Sequence, residues 1–294
     1  MLLKEYLETK KKIVDRALEE YLPKRGGFSS EISESMRYTL FAGGKRIRPV
    51  LCMASAETVG GSADTVLPVA CAIEMIHTYS LIHDDLPLMD NDDYRRGKPS
   101  NHKVFGEGVA VLAGDALLTE AFCLLSGKAP GISPEKSLAI IHEISAAAGF
   151  RGMIGGQVAD LRAEGKEVNM ETVDYIHTHK TEALITVSIR AGAIAAGTDE
   201  EDLNALSEYG RKTGLAFQIA DDILDIESCR EILGKDTGSD EGSKKATYPS
   251  LIGLEESREE TRRLVEDALS DISRFDEKAE PLRMIARFIA ERKS

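Results

Sequence analysis

The chain has 294 residues, of which 42% are hydrophobic, so it can bury a large core. Its 37 basic and 50 acidic residues give a formal net charge of -13, which argues against a general nucleic-acid-binding protein. Four widely spaced cysteines within apolar segments predict buried thiols in a reducing compartment and no zinc site. Charged residues begin at Lys4 and no apolar run approaches the length of a bilayer span, so we expect a soluble, cytoplasmic protein without a secretory signal.

The spacing of apolar residues predicts helices along almost the whole chain. In chain order they are Leu2–Leu22, Ile32–Phe41, Val50–Val59 and Val66–His83, then a helix that begins at Ser133-Pro134 and one that a Thr198–Glu201 capping box opens. Clear hairpin turns and sustained two-residue alternation are absent from the sequence. We therefore predict an all-α bundle of ten or more helices that forms one domain over residues 1–294.

The segment from Leu81 to Gly97 concentrates charge beside an apolar helix. Its acidic residues are Asp84, Asp85, Asp90, Asp92 and Asp93, and Arg95 and Arg96 follow them directly. Carboxylates this close repel one another unless a cation lies among them, and hard oxygen ligands suit magnesium. Guanidinium groups bind phosphate through paired hydrogen bonds, so the segment predicts a magnesium–phosphate site.

A proline interrupts this first acidic cluster. Asp84 and Asp90 are six residues apart and would point to different faces of a regular helix. Pro87 lies between them and cannot continue a helix without a kink or break. We therefore expect the helix to end or bulge here, so that Asp90 returns to the side of Asp84.

A second acidic cluster lies far along the chain, from Gln218 to Asp225. Asp221 and Asp225 are four residues apart and would share one face of a helix. Acidic runs are commonly solvated faces, and either cluster alone permits that interpretation. Apolar residues surround both clusters, which a solvated face does not require, so we interpret the two as halves of one site.

Together these motifs resemble the trans-isoprenyl diphosphate synthases, specifically the short-chain bacterial group that includes farnesyl diphosphate synthase and is related to geranylgeranyl diphosphate synthases. The resemblance covers nearly the whole chain and rests on Gly43–Pro49, Asp84–Asp90 with Arg95-Arg96-Gly97, Gly155-Gly156-Gln157 with Asp160, Lys180-Thr181, and Gln218–Asp225. It implies an all-α bundle of the isoprenoid synthase type with a central active-site cavity. It also implies condensation of isopentenyl diphosphate with an allylic diphosphate by a homodimer.

The resemblance implies a role for each matching residue. Three magnesium ions bound with the allylic diphosphate would use Asp84, Asp90 and Asp221, supported by Asp85, Asp222 and Asp225. The allylic diphosphate would be held by Arg95, Lys180 and Lys235, together with a loop lysine that is either Lys245 or its neighbour Lys244. Isopentenyl diphosphate would be held without metal by Lys45, Arg48, His77 and Arg96. The catalytic groups would be Lys180 and the oxygens of Thr181 and Gln218, which face the developing carbocation.

Product length is expected to depend on Tyr79 and Ser80, which lie about one helical turn before Asp84. The growing allylic tail should extend back along this helix, where the small Ser80 leaves room and the bulky Tyr79 forms the floor of the tail pocket. This favours farnesyl diphosphate as the main product, with geranylgeranyl diphosphate as the alternative. Tyr79 could instead fill the core between helices, as aromatic residues often do.

Several other interpretations fit the residues taken singly. A metal phosphohydrolase could use His83-Asp84, although His102, His142, His177 and His179 show no evident arrangement with carboxylates. A terpene cyclase of the same fold would not need the basic turn at 45–48, and a silent partner subunit would be expected to lose carboxylates. His77 alone is typical of a core histidine, and Glu291–Ser294 of a solvated chain end. For Lys45, Arg46 and Arg48, the Gly-Gly and Pro frame favours a phosphate-binding turn over ordinary surface charge.

Overall fold

The computed structural model describes residues 2–22, 29–127, 130–233 and 247–292, without the side chains of 228–233. Its helices are α1 Leu3–Tyr21, α2 Ser30–Leu40, α3 Ile47–Thr58, α4 Ala63–Asp84, α5 Asn101–Phe105, α6 Glu107–Ser126, α7 Pro134–Ala148, α8 Met153–Ala163, α9 Met170–Ile176, α10 Ala183–Ala196, α11 Glu200–Leu233, α12 Tyr248–Ile252, α13 Leu254–Asp271 and α14 Glu280–Glu291. A π-helix, His177–Glu182, joins α9 to α10, and a short 3-10 helix, Glu277–Ala279, precedes α14. The predicted all-α fold is confirmed.

A two-stranded hairpin departs from the prediction that the sequence contains no hairpin. Strands β1 (Tyr94–Arg95) and β2 (Lys98–Pro99) pair antiparallel directly after the first acidic cluster. The two residues between them, Arg96 and Gly97, have φ angles of 54° and 75°. Both values lie in the left-handed region that tight two-residue hairpin turns need. Sequence inspection missed this turn because arginine is uncommon at its first position.

The predicted helix starts are confirmed in one case and wrong in the other. Ser133 caps α7, and its hydroxyl accepts from the backbone N–H of Lys136, with Pro134 in the first turn. The capping residue of α11 is Asp199, whose carboxylate accepts from the N–H of Asp202 at 2.9 Å. The hydroxyl of Thr198 is buried without a hydrogen-bond partner in the described part of the chain. The aspartate one position later therefore replaces the predicted Thr198–Glu201 capping box.

Helices α3 and α10 lie at the centre of the packing. Each contributes side chains to two hydrophobic clusters, one that also contains α4 and α6 and one that also contains α11, α13 and α14. The backbones of α3 and α10 touch at Gly192, where an added Cβ would collide with the carbonyl of Cys52. This close contact brings the start of α3 and the π-helix before α10 to the same side of the bundle.

Among the described residues, two helices qualify by length and composition as membrane spans, contrary to the expectation that no apolar run approaches that length. They are α4 and α6, with window hydropathies of 1.4 and 1.7. For α4, 67% of the window is buried inside the protein, which is the pattern of a core helix. For α6 only 33% is buried, and Leu112 is 58% exposed. Two such helices are a weak indication of a membrane span, because core helices have the same composition.

Candidate active site

The first acidic cluster forms where α4 ends. Asp84 is the last helical residue and Asp85 caps the helix. The chain then turns back, so that the N–H of Asp90 donates to the carbonyl of Asp84 at 2.8 Å. This confirms the predicted return of Asp90, although the helix ends before Pro87. Burial raises the pKa of the Asp84 carboxyl to about 6, with a further rise from Asp90 that Lys180 opposes.

Asp85 and Arg95 form a buried pair behind Asp84. The Asp85 side chain is 2% exposed and accepts from Nε of Arg95 at 2.9 Å. A second nitrogen of Arg95, Nη2, contacts Asp85 and also lies 3.1 Å from Asp92. Arg95 was predicted to hold the allylic diphosphate. Its guanidinium binds these two carboxylates, and this contact fixes the start of β1 against the acidic cluster.

The π-helix brings the predicted catalytic residues between the two acidic clusters. Nζ of Lys180 donates to Asp160 on α8 at 2.5 Å and lies near enough to Asp84 and Asp90 for both to raise its pKa. Thr181 points the other way and donates to Oε1 of Gln218 on α11 at 2.7 Å. Widened helical turns of this kind are frequent at functional sites.

A glycine allows α8 to approach the π-helix. An added Cβ on Gly156 would collide with the backbone nitrogen of Lys180. Only a residue without a side chain fits this contact, which places Asp160, one turn further along α8, against the Lys180 ammonium. The Gly155-Gly156-Gln157 motif therefore sets the position of Lys180. The amide nitrogen of Gln157 is buried without a hydrogen-bond partner in the described part of the chain.

The second acidic cluster lies on α11. Asp222 is 6% exposed, and its Oδ1 accepts from Nε2 of Gln218 at 2.9 Å. Asp221 lies 2.7 Å from Nη1 of Arg292, and burial raises the pKa of its carboxyl while Arg292 opposes the rise. The guanidinium of Arg292 also stacks over Phe217, with 5.1 Å to the ring centroid. The interpretation of this chain end as solvated is therefore wrong for Arg292.

A cavity of about 360 Å³ lies between the basic turn and α11. Its lining includes all four residues predicted for isopentenyl diphosphate, Lys45, Arg48, His77 and Arg96, together with two carboxylates, Glu74 and Asp221. Nη1 of Arg48 lies 3.4 Å from Nε2 of His77, and Nε of Arg48 is buried without a hydrogen-bond partner in the described residues. Burial and the neighbouring guanidinium groups hold the pKa of His77 well below its usual range, so this imidazole is neutral.

Arg46 differs from the other cations of the basic turn. Its side chain is 1% exposed and binds Asp15 through Nε at 2.8 Å, Glu74 through Nη1 at 2.7 Å, and the carbonyl of Leu40 through Nη2 at 2.6 Å. All three nitrogens are therefore satisfied by the protein itself. Arg46 also lines the cavity, but its guanidinium joins α1, α2 and α4, so its share in a phosphate-binding turn stays a prediction.

Arg96 closes the cavity from the hairpin. Its Nη1 donates to the carbonyl of Gly43, and an added Cβ on Gly44 would lie 2.6 Å from its guanidinium carbon. Gly44 also has a φ of 109°, which disfavours any other residue. The two glycines of the turn therefore serve both backbone geometry and the close approach of Arg96.

The predicted chain-length residues lie on α4 above the acidic cluster. Tyr79 is 6% exposed and packs edge-on against the His83 ring at 5.7 Å. Its hydroxyl is buried without a hydrogen-bond partner among the described residues, and burial raises its pKa to about 12. The Ser80 hydroxyl donates to the carbonyl of His77 at 2.9 Å. Tyr79 is thus a buried ring whose hydroxyl contributes no hydrogen bond to the core.

The remaining predicted contacts lie outside the described residues, and the described residues contain no preformed cluster of metal ligands. Lys235, Lys244 and Lys245 fall in 234–246, which the structure does not describe. Within the described ranges, no three His, Cys, Asp or Glu side chains are already arranged around one ion position. Magnesium sites commonly use one or two carboxylates completed by water and substrate phosphate, so this finding does not conflict with the predicted donor set.

Two residues that sequence inspection did not assign join the site. One is Arg292, which contacts Asp221 from the chain end. The other is His177, whose Nε2 lies 3.2 Å from Oδ2 of Asp222. Both contacts join residues far apart in sequence, and no local spacing pattern signals them. The earlier reading that the histidines show no arrangement with carboxylates is therefore wrong for His177.

Comparison with known proteins agrees with this geometry. A model of the polyprenyl synthetase family matches residues 29–285. A geranylgeranyl diphosphate synthase from Cyanophora paradoxa is 49% identical over 288 residues, which are 98% of this chain and 95% of that protein. A farnesyl diphosphate synthase from Geobacillus stearothermophilus is 46% identical over 291 residues, 99% of this chain and 98% of that one. The apo crystal structure of an FPP/GFPP synthase from Zymomonas mobilis matches with a TM-score of 0.89 and 40% identity over 98% of both chains.

The family match covers most of the chain, and the relatives cover nearly all of it at well over a third identity. The acidic clusters, the basic turn and the Lys180-Thr181 segment converge on one side of the bundle, as expected for a shared site. The chain belongs to the polyprenyl synthetase family, and it is a short-chain prenyltransferase with the all-α fold of the isoprenyl diphosphate synthases.

Proposed function

We propose that this prenyltransferase condenses isopentenyl diphosphate with dimethylallyl or geranyl diphosphate and releases farnesyl diphosphate as its main product. The observation that carries the proposal is the contrast between the two arginines of the basic turn. Arg46 is neutralised by Asp15 and Glu74. Arg48 lines the cavity with no carboxylate within ion-pair distance in the described residues, beside neutral His77 and exposed Lys45. Glu74 and Asp221 act on Arg48 only from a longer distance across the cavity, and a guanidinium without an ion-pair partner in a cavity favours an anionic ligand.

Two diphosphates would occupy differently charged surroundings. Isopentenyl diphosphate keeps its carbon–oxygen bond, so fixed donors suffice, and Lys45, Arg48, His77 and Arg96 supply them around one cavity. The allylic diphosphate must depart, and the carboxylates of Asp84, Asp90 and Asp221 would face it through metal ions. Lys180, together with Arg95 and the loop residues Lys235 and Lys245, would hold the departing group in place.

The carboxylates at this site fit magnesium. All are hard oxygen donors, and the raised pKa of Asp84 reflects burial and repulsion that a bound cation would relieve. Three ions would be held by Asp84, Asp90 and Asp221, with Asp85, Asp222 and Asp225 orienting them. When bound, magnesium supplies positive charge that stabilises the departing diphosphate.

The chain's own groups would control the allylic cation. The hydroxyl oxygen of Thr181 and the amide oxygen of Gln218 lie together at 2.7 Å and would stabilise positive charge on carbon. The buried apolar residues of α4 would exclude water from the reacting carbons, so that the cation meets the alkene of isopentenyl diphosphate first.

The experiment that tests this function is product analysis after incubation with isopentenyl diphosphate, an allylic diphosphate and magnesium. Prenyl diphosphate of increased length supports the proposal, whereas release of phosphate without condensation would indicate a phosphohydrolase and cyclic hydrocarbon a terpene cyclase. The structure already disfavours a hydrolase built on His83, because its Nε2 lies 3.0 Å from the Val111 carbonyl on α6.

Arg48→Gln and Arg46→Gln form a matched pair for the cavity. Arg48→Gln should raise KM for isopentenyl diphosphate about tenfold or more and leave KM for the allylic substrate nearly unchanged, because one charge-assisted contact is lost. Arg46→Gln should instead lower thermal stability, since it leaves the buried Glu74 carboxylate and the partly exposed Asp15 carboxylate without their cation. Equal changes in both KM values for Arg48→Gln would argue for a structural role.

Farnesyl diphosphate is proposed as the product because Tyr79 is a buried ring one turn from Asp84. Tyr79→Ala should lengthen the product, because it removes the ring that would meet the growing tail. Tyr79→Phe should leave the product unchanged, since the hydroxyl has no hydrogen-bond partner among the described residues. An active Tyr79→Ala variant that still makes farnesyl diphosphate would place the floor elsewhere, and geranylgeranyl diphosphate from the wild type would refute the product assignment.

We also propose that the whole chain acts as one domain, in the cytoplasm, as a homodimer. Support for the dimer comes from α6, an apolar helix whose most apolar window is only 33% buried and which exposes Leu112. A second copy covering α6 would remove this apolar surface from water. Light scattering should give twice the chain mass of 32.1 kDa, and Leu112→Glu should weaken the dimer.

A further inference from the structure

His177 lies at the end of a chain of contacts that leads to the groups proposed to face the allylic cation. Its Nε2 is 3.2 Å from Oδ2 of Asp222. The other oxygen of Asp222 accepts from Nε2 of Gln218 at 2.9 Å, and Oε1 of Gln218 accepts from the Thr181 hydroxyl at 2.7 Å. Four side chains from the π-helix and α11 therefore form one continuous polar line.

Packing fixes the plane of the His177 ring. The residue is 3% exposed, and its ring stacks on Tyr248 of α12 with centroids 5.3 Å apart and planes at 17°. The Tyr248 hydroxyl donates to the carboxylate of Asp174, which holds the tyrosine in turn. The imidazole therefore cannot turn away from Asp222 without breaking this stack.

Nε2 of His177 lies within ion-pair distance of Oδ2 of Asp222, but the two groups are not aligned for a hydrogen bond. Oδ2 of Asp222 therefore has no hydrogen-bond partner among the described residues. A buried carboxylate oxygen left without a donor is destabilising. A hydrogen on Nε2 of the His177 imidazole supplies the donor after a small adjustment. Nδ1 of His177 has no hydrogen-bond partner in the described residues. The tautomer with hydrogen on Nε2 therefore leaves no buried N–H donor without an acceptor.

We propose that His177 is a positioning residue for prenyl transfer: by holding the Asp222 carboxylate, it fixes which way the Gln218 amide faces. Nε2 of Gln218 donates to Asp222, and Oε1 of Gln218 accepts from Thr181, so the Gln218 amide presents its oxygen at the site. If Asp222 turns away, the amide can flip and present N–H groups, whose positive ends oppose a carbocation. The inference rests on the proposed role of Thr181 and Gln218.

His179 provides a matched control two residues along the same π-helix. It too stacks on a tyrosine, Tyr175, with centroids 3.9 Å apart and planes at 21°. Its Nδ1 bonds to the carbonyl of Tyr175 at 2.8 Å. The two histidines thus share a helix and a stacking arrangement, but only His177 contacts Asp222.

The experiment compares three purified full-length variants with the wild type in kcat, both KM values and Tm. His177→Phe keeps the stack and removes the nitrogen, so kcat should fall about tenfold to hundredfold, the range for losing such a supporting contact. Both KM values and Tm should stay near wild type. His177→Gln can present a side-chain N–H near the same place and should recover most of kcat, and His179→Phe should match the wild type.

Two outcomes would overturn the inference. One is a His177→Phe kcat within about twofold of wild type. The other is an equal loss of kcat in His177→Phe and His177→Gln accompanied by a lower Tm, which indicates packing alone.

Nitrogen NMR of the imidazole gives a readout independent of turnover. The inference requires hydrogen on Nε2 of His177 and a change in the chemical shift of this nitrogen in Asp222→Asn. An unchanged shift overturns the inference, whereas wild-type protein that forms no prenyl product refutes the proposed function instead.

Discussion

The two acidic clusters begin alike, with a pair of adjacent aspartates, but they differ in the cations beside them. In the first cluster, Asp84 has no cation within ion-pair distance among the described residues, and Arg95 binds Asp85 behind it. In the second cluster, Arg292 binds Asp221 directly, and Asp222 is held by Gln218.

Within each pair, the two aspartates differ in burial and in the groups that they face. The second aspartate is the more buried one and is held by a neighbouring donor: Asp85 and Asp222 are 1% and 6% exposed. The first aspartate of each pair is left facing the site. The clusters differ in the pairing of the first aspartate, because Lys180 and Arg95 offset the repulsion at Asp84 only from a distance, whereas Arg292 pairs with Asp221 directly.

The largest expected effect comes from removing the outward-facing carboxylates. Asp84→Asn and Asp221→Asn should each lower kcat about a thousandfold or more, equivalent to roughly 4 kcal/mol of transition-state stabilisation. Steady-state kinetics at saturating magnesium measures this, with circular dichroism as the control for folding. Near-wild-type turnover in either variant would remove that aspartate from the proposed metal site.

A smaller effect is expected for the inner carboxylates. Asp85→Asn and Asp222→Asn should lower kcat about tenfold to hundredfold, because they orient other groups and do not bind metal directly. Asp85→Asn should also lower Tm more than Asp222→Asn, since it weakens a buried guanidinium pair. Losses as large as those of the outward-facing aspartates would break the proposed division.

The pH dependence of stability should separate the clusters further. In the folded protein the Asp84 carboxyl has a pKa of about 6 against 3.8 ordinarily, so the folded state binds more protons between these values. Stability of the metal-free protein should therefore fall as pH rises from about 4 to 6, by about 3 kcal/mol from this group. Asp84→Asn removes the ionisation and should raise Tm in EDTA at pH 7.5, with the difference gone near pH 4.

Asp221→Asn is the matched variant for this measurement. Its stabilisation at pH 7.5 should be smaller than that of Asp84→Asn, because the wild-type carboxylate is already paired with Arg292. A larger gain in Asp221→Asn, or a gain in Asp84→Asn that does not depend on pH, would contradict the charge difference between the clusters.

The smallest effect concerns the cation at the second cluster. Arg292 pairs with the Asp221 carboxylate, and the two side chains are 18% and 35% exposed. Arg292→Gln should lower the magnesium concentration for half-maximal activity by about two- to fivefold, the range of a partly exposed ion pair. Arg287→Gln, which loses only a pair with Glu280 on the same helix, should not change it. An increased magnesium requirement in Arg292→Gln would show that this arginine helps the metal to bind.

Features with a local cause could be predicted from the sequence. The order of helices follows from apolar spacing, and the return of Asp90 to Asp84 follows from Pro87. The sequence could not separate Arg46 from Arg48, because the difference lies in Asp15 and Glu74, which reach one arginine across α1 and α4. The contacts of Arg292 and His177 are likewise tertiary. At Thr198 the motif was local, but Asp199 competed for the same helix end.

The backbones of α3 and α10 are in direct contact at Gly192, so these two helices form one rigid unit. Helix α3 carries Arg48 in its first turn, and α10 follows directly on the π-helix that carries Lys180 and Thr181. The spacing between the two proposed diphosphate positions would therefore depend on contact between main-chain atoms, and not on side chains that can change rotamer. If product length is set on α4 as proposed, it can vary there while the distance across which the new carbon–carbon bond would form stays constant.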